Sequence, residues 1–321
     1  MKLLSLVFSF RNEEENLEKL IERLNIVLSK LSGWNYEYIF VNDDSTDNSE
    51  KILKNLQNTH PIKIVNLSRK FGVGPGILAG FETAKGDALI YMDSDLQDPP
   101  ELIPKLISKF EEGADVVHTK RTKRLGENKF KMMMTDFAYR IINFTSNISL
   151  PVQAGDFKLL SRRAIDHVNK LQEYNPYVRG LAVWIGFKQE IVEYIREGRF
   201  SGKTKQSLFS GNLLLGPWSE FVRGTTGFST GPLFFGIFLG ILAMLFSFIL
   251  IIYALIDKYY GNAVLGTTGI LIAISFFSGI ILSAIGIIGI YIARIYEQIQ
   301  GRPRYIIKNI IVTKKTNDKE N

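Results

Sequence analysis

Two aspartates, Asp93 and Asp95 with Ser94 between them, close the apolar run Ala88–Met92. A continuous apolar run of that length reads as a strand buried on both faces. In extended chain, residues i and i+2 project to the same side, so both carboxylates can face one ligand. Two carboxylates at a strand's C-terminal end suit a hard divalent cation, Mg²⁺ or Mn²⁺, that holds a diphosphate. Such an ion would offset the charge developing on a departing nucleotide diphosphate. The chain has no cysteine and no cluster of histidines, which excludes disulfides and thiolate chemistry and argues against zinc. Asp98, Pro99, Pro100 and Glu101 follow as a helix start, with Asp98 as N-cap and Glu101 closing a capping box.

Further charged residues fall where other strand ends should gather. Asp43 follows the run Tyr36–Val41 and could accept a hydrogen bond from a base or ribose; capping the helix after Ser45 is its structural alternative. Arg69 and Arg121 stand near strand ends, within reach of phosphates. Asp156, in Gly155-Asp156-Phe157 after an irregular stretch, is a candidate general base or an anchor of the site. Arg199, Lys203 and Lys205 form a basic loop suited to an anionic headgroup.

Holding these groups in place needs a frame. Leu3–Phe10, Tyr36–Val41, Ile62–Leu67, Ala88–Met92 and Asp115–Thr119 read as strands. Asn12 is expected to cap the first helix with Glu15 at its third position, and Leu17, Leu20, Ile21, Leu24, Val27, Leu28 and Leu31 share one helical face. Ser45-Thr46-Asp47 opens a second helix, and a turn with Gly72, Gly74 and Gly76 leads into a third that runs to about Ala84. Alternating strands and helices with short connections predict an α/β fold, a doubly wound and mostly parallel sheet. Ligands of such sheets sit beyond the C-terminal strand ends.

No charge occurs between Arg223 and Asp257, nor between Lys258 and Arg294. Leu233–Ile256 would span roughly 36 Å at about 1.5 Å per residue, enough to cross a bilayer, and Thr268–Ala293 is a second such span. The short connection makes them a transmembrane hairpin, with both ends of the chain on one side. Lys and Arg flank the hairpin (Arg196, Arg199, Lys203, Lys205, Arg223; then Arg294, Arg302, Arg304, Lys308, Lys314, Lys315), which places that side in the cytoplasm. The net charge of +7 then reflects an anionic leaflet; no motif points to nucleic acid. The first apolar run is short and stops at Arg11-Asn12-Glu13, unlike a signal peptide. The expected organisation is a catalytic domain over 1–205, an interfacial segment over 206–231, two membrane helices within 232–296 and a basic cytoplasmic tail over 297–321.

In order along the chain stand N-E-E-E-N at Asn12–Asn16, V-N-D-x-S-T-D at Val41–Asp47 and L-S-R-K-F-G at Leu67–Gly72. D-x-D-L-Q-D-P-P-E follows at Asp93–Glu101, G-D-F-K-L-L-S-R-R at Gly155–Arg163, R-G-L-x-x-W-x-G-F at Arg179–Phe187 and R-x-x-G-x-T-K at Arg199–Lys205. Together with the hairpin, this series resembles the family 2 glycosyltransferases of GT-A fold, in their polyprenyl-phosphate subgroup. The resemblance implies a nucleotide-sugar donor, a divalent metal and a polyprenyl-phosphate acceptor. It assigns Asp43 to the uracil or ribose, Asp93 with Ser94 to the ribose and diphosphate, and Asp95 with Gln97 to the metal. Asp156 matches the catalytic base position, and Arg121, Arg199 and Lys205 would address phosphates. UDP is favoured over GDP, and glucose is one of several sugars that fit. Three departures stand out: Asp44 replaces a usual Gly, Gly74-Pro75-Gly76 is glycine-rich for a helix start, and Gln206–Val222 is long.

The chemistry implied is one displacement with inversion. The processive polysaccharide synthases on the same fold carry Gln-x-x-Arg-Trp, and none of Trp34, Trp184 or Trp218 follows an Arg. A non-catalytic nucleotide-sugar scaffold is the other alternative, against which the intact acidic pair and Asp156 argue. Glycines in the spans (Gly236, Gly240, Gly279, Gly286, Gly289) would permit helix packing in a homo-oligomer. Two helices do not build a transport pathway, so moving a lipid-linked sugar across the membrane would need a separate flippase. Tyr305–Val312 could add a strand, with no partner evident.

Overall fold

The computed structural model describes residues 1–124, 154–196, 224–260 and 267–312, with the single residues 140, 143, 151 and 222. Four apolar strands form the parallel centre of the sheet: β1 (Lys2–Phe10), β2 (Trp34–Asn42), β3 (Ile62–Leu67) and β4 (Ala88–Tyr91), in the order β4-β1-β2-β3. Each carries apolar side chains on both faces because helices cover both. On one face α1 (Leu17–Leu28) buries Leu17, Leu20, Ile21, Leu24, Val27 and Leu28, with Leu31 packed beside them, as the spacing predicts. α2 (Ser49–Leu56) contributes Leu53 to the same core. On the other face α3 (Val73–Thr83) lies so close to β1 that a Cβ on Gly76 would stand 2.3 Å from Ser9 Oγ, and one on Gly80 2.2 Å from Val7 Cγ1. The glycine-rich helix start is thus a packing requirement of this contact.

Beyond β4 the sheet becomes mixed. β6 (Ala154–Ser161) pairs antiparallel with both β4 and β5 (Val116–Arg124), and β7 (Gln189–Arg196) runs parallel to β5 at the edge. Asp156 lies within β6, a strand not among those expected; the irregular stretch expected before it falls almost entirely outside the described residues. Asp156 and Lys158, two residues apart on that strand, break the apolar pattern by which a central strand is recognised. α4 (Ile103–Glu111), α5 (Arg162–Lys170) and α6 (Val178–Trp184) complete the unit. Ser161 caps α5, its hydroxyl accepting from Ala164 N–H. At the opposite edge β8 (Ile307–Val312) pairs antiparallel with β3, giving an eight-stranded sheet among the described residues. That is the partner of the Tyr305–Val312 stretch.

The chain divides into two compact units, one holding the sheet with α1–α6, the other α7 (Gly231–Tyr259) and α8 (Thr267–Ile299). Gly231–Leu250 and Phe276–Ile299 have mean hydropathies of 2.7 and 2.2 and are long and apolar enough to cross a membrane. Within this unit Phe246 meets Phe276 edge-on, and Tyr291 O–H donates to Ser229 C=O at 2.6 Å.

Candidate active site

The C-terminal ends of β1, β2, β3 and β4 lie on one side of the sheet, as their parallel pairing requires. After β2, Asp43 is buried, and its carboxylate accepts N–H bonds from Phe71 (2.6 Å) and Gly72 (3.0 Å), tying this loop to the turn before α3. It does not cap α2, which starts after Asn48. Each carboxylate oxygen keeps a second lone pair for a ligand donor. Asp44 adopts φ 60°, the left-handed region that a Gly enters without a side-chain penalty. Asn12 does not cap α1, whose N-cap is Asn16; Asn12 is itself left-handed, and its amide accepts from Thr46 N–H (2.8 Å) and donates to Thr46 Oγ1 (3.1 Å). Arg69 is exposed on the rim, its guanidinium 4.0 Å from the Phe71 ring centre and bonded to Lys70 C=O.

The loop after β4 is bent by a second left-handed residue. Leu96 has φ 60° and is fully buried in the core. Burying this leucine turns the backbone between Asp95 and Gln97, and Asp95 Oδ1 accepts from Gln97 N–H at 3.2 Å. Asp95 and Ser94 are buried, and Asp93 is half-buried. The expected capping box does not form. Glu101 pairs with Arg23 (2.7 Å), and the helix begins as a 3₁₀ turn over Pro100–Leu102. Asp98 is fully buried; it accepts a hydrogen bond from Tyr194 O–H and has Arg121 at 3.5 Å. Arg121 Nε donates to Tyr194 Oη at 2.9 Å. A Cβ on Gly155 would stand 3.0 Å from this guanidinium, so the glycine makes room for Arg121.

Asp156 faces Arg179 of α6, which donates Nε–H to Oδ1 at 2.6 Å and a second N–H to Oδ2. Burial opposes ionisation of Asp156, but the Arg179 guanidinium, joined by the charges of Lys158 and Arg121, holds the carboxyl down to about 2. Asp93 behaves oppositely: burial, then the charges of Asp156, Asp98 and Asp95, push it up to about 7. Burial brings Lys158 down to about 7 against the pull of Asp156. Tyr91, at the end of β4, is raised well above its ordinary value by burial and by Asp156, and its hydroxyl is buried without a hydrogen-bond partner.

The structure therefore brings Asp93, Asp95, Arg121 and Asp156 into one electrostatic neighbourhood, with Ser94 and Gln97 in the same loop. Asp43 and Arg69 stand at the neighbouring strand ends. Arg199, Lys203 and Lys205 lie outside the described residues. Reading by residue type missed Arg179, Asp98, Tyr194, Lys158 and Tyr91; Arg179 had a signal in its motif, but its partner Asp156 is 23 residues away. Among the described residues no group of three or more His, Cys, Asp or Glu could hold an ion unaided. Asp93, Asp95 and the Gln97 amide offer hard oxygen donors. They fit a cation of the Mg²⁺ class that takes its remaining ligands from a diphosphate and water.

Residues 5–168 match the family described as glycosyl transferase family 2. The uncharacterized glycosyltransferase YkcC of Bacillus subtilis (strain 168) is 40% identical over 306 residues, 95% of this chain and 93% of that protein. The prophage bactoprenol glucosyl transferase homolog of Escherichia coli (strain K12) is 36% identical over 309 residues, 96% of this chain and 99% of its own. Among solved structures, S. aureus TarS 1-349 in complex with UDP-GlcNAc is similar at a TM-score of 0.46 and 16% identity, over 70% of this chain and 66% of that one. The family match covers the sheet from β1 into α5, and the relatives run almost end to end with this chain, so it belongs to glycosyl transferase family 2, with the α/β catalytic fold of that family.

Proposed function

We propose that this glycosyltransferase moves one sugar from a UDP-hexose, with glucose the first to try, to a polyprenyl phosphate, for modification of cell-envelope glycans. The observation that carries this reading is the pairing of Asp156 with Arg179 beside Asp93 and Asp95 at the ends of the parallel strands. A lipid acceptor is supported by relatives named bactoprenol glucosyl transferase and by the two long apolar helices.

In the proposed reaction an acceptor phosphate oxygen attacks the anomeric carbon, and the bond to the nucleotide diphosphate breaks. One displacement inverts the centre. Asp95 with Gln97 would hold Mg²⁺ or Mn²⁺, which when bound offsets charge on the leaving diphosphate. Asp93 and Ser94 face the ribose and diphosphate, Asp43 the base or ribose, and Arg69 the rim. A phosphate monoester is largely dianionic near neutrality, with a second pKa of about 6. Asp156, held ionised by Arg179, is too weak a base to be needed for that proton, so it orients the reacting groups. Arg121, with Arg199, Lys203 and Lys205, would address acceptor and donor phosphates. Residues 1–205 would be the catalytic domain and 206–231 an interfacial segment. The spans 233–256 and 268–293 would form a hairpin in the inner membrane, with both termini cytoplasmic. That arrangement holds the cleft beside the headgroup.

The test is transfer by the purified full chain in detergent, offered undecaprenyl phosphate, Mg²⁺ or Mn²⁺, and labelled UDP- and GDP-sugars. We expect a metal-dependent product with one sugar per lipid, and a loss of at least about a hundredfold in kcat for Asp95→Ala. A polymeric product would favour a processive synthase. Nucleotide-sugar binding without transfer to lipid would remove the acceptor assignment.

A further inference from the structure

Three asparagines stand side by side across the sheet, outside every role given above. Asn42 closes β2, Asn66 lies opposite it on β3, and Asn309 lies opposite Asn66 on β8. Their amides are joined in one direction. Ser45 N–H donates to Asn42 Oδ1 (2.9 Å), Asn42 Nδ2 to Asn66 Oδ1 (2.9 Å), and Asn66 Nδ2 to Asn309 Oδ1 (2.9 Å). Asn42 and Asn66 are buried, and Asn309 is exposed at the sheet edge. The β3–β8 register shifts immediately after the Asn66–Asn309 pair.

Asparagine is disfavoured in strands, and a buried amide costs stability unless its hydrogen bonds are made. Apolar residues would hold these strands together equally well. What the amides add is their terminus: the row ends on the backbone of the loop that carries Asp43 and the left-handed Asp44. That loop is tied onward, since Ser45 Oγ accepts from Asn12 N–H at 3.1 Å. Hydrogen bonds in such a chain polarise one another, so removing the last acceptor weakens the others.

We propose that Asn309, on a strand that follows the two apolar helices in the chain, is a positioning residue for the nucleoside end of the donor pocket, acting through Asn66 and Asn42 on the Asp43 loop. This rests on the donor reading above. The segment after the helices thereby takes part in donor binding without touching the donor.

The test is UDP binding to the purified full chain in detergent by calorimetry, without lipid or turnover. Asn309→Ala should weaken UDP about three- to tenfold, the range of one lost hydrogen bond. Asn309→Asp should bind like the unaltered chain, because a carboxylate still accepts from Asn66. Ile311→Ala trims the packing of β8 on the core but leaves the amide row intact; it should lower Tm and leave UDP affinity unchanged. Unaltered affinity in Asn309→Ala overturns the proposal while the donor reading stands, and so does an equal loss in Ile311→Ala. An unaltered chain that binds neither UDP nor GDP overturns the donor reading, and the role of the asparagines with it.

Discussion

Asp156 owes its charge to a two-pronged contact with Arg179, and a lysine cannot reproduce the fork. We expect Arg179→Lys to lower kcat about tenfold or more with little change in donor KM. Its rate–pH profile should keep the acid limb set by the acceptor phosphate, with its second pKa of about 6, because Asp156 titrates far below it; steady-state kinetics across pH checks both. His118 sets a different dependence. Burial, then the Lys158 charge, brings it down to about 3, so it is neutral in the fold and bonded to Gln189 at 2.8 Å. An unfolded histidine takes up its proton near 6.5. The stability gained from a neutral His118 is therefore complete above about pH 6.5 and is lost as pH falls towards 3, with a slope of at most about 1.4 kcal/mol per unit. His118→Gln should flatten this part of a Tm–pH curve. The acidic pair was legible in the sequence because carboxylates that close an apolar run announce themselves, whereas Asp156, inside β6, stood out only through its motif. Asp98 and Tyr194 were not, because they meet only through the sheet order, and Arg179 had its motif but not its partner.

Elements show the same division. β1 to β4 were legible because each is an apolar run buried on both faces. β7 was not: it buries Val192 and Tyr194 but exposes Ile191 and Ile195 at an edge, so neither alternation nor a continuous run stands out. The turn carrying Asp44 is held in the left-handed region against the preference of an L-residue. Asp44→Gly should stabilise the protein by about 1 kcal/mol, read as a rise of about 2 °C in Tm. Leu96 shares that backbone conformation, but there a glycine would forfeit a fully buried side chain. Leu96→Gly should therefore destabilise by about 2–4 kcal/mol, with the geometry of Asp95 lost alongside. Where α3 meets β1, Gly80→Ala should cost about 1–3 kcal/mol in a chemical denaturation series, because Val7 fills the space its methyl needs.

At the scale of the whole molecule, β1 and β8 belong to one sheet while α7 and α8 lie between them in the chain. Strands of one sheet cannot end on opposite sides of a bilayer, so on the membrane reading proposed above the crossings between them would come in an even number. Reporter fusions before β1 and after β8 should read out on the same side, and opposite sides would contradict the pairing. The same pairing has a consequence in time. Asn66 and Asn309 are 243 residues apart. At about 5–20 residues per second, a ribosome needs on the order of ten seconds or more to bridge that interval. Until it does, the outer edge of β3 has open hydrogen-bonding groups and is a template for wrong partners. The sheet cannot close that edge before both apolar helices have been synthesised, so whatever receives those helices acts on a catalytic unit that is still one strand short.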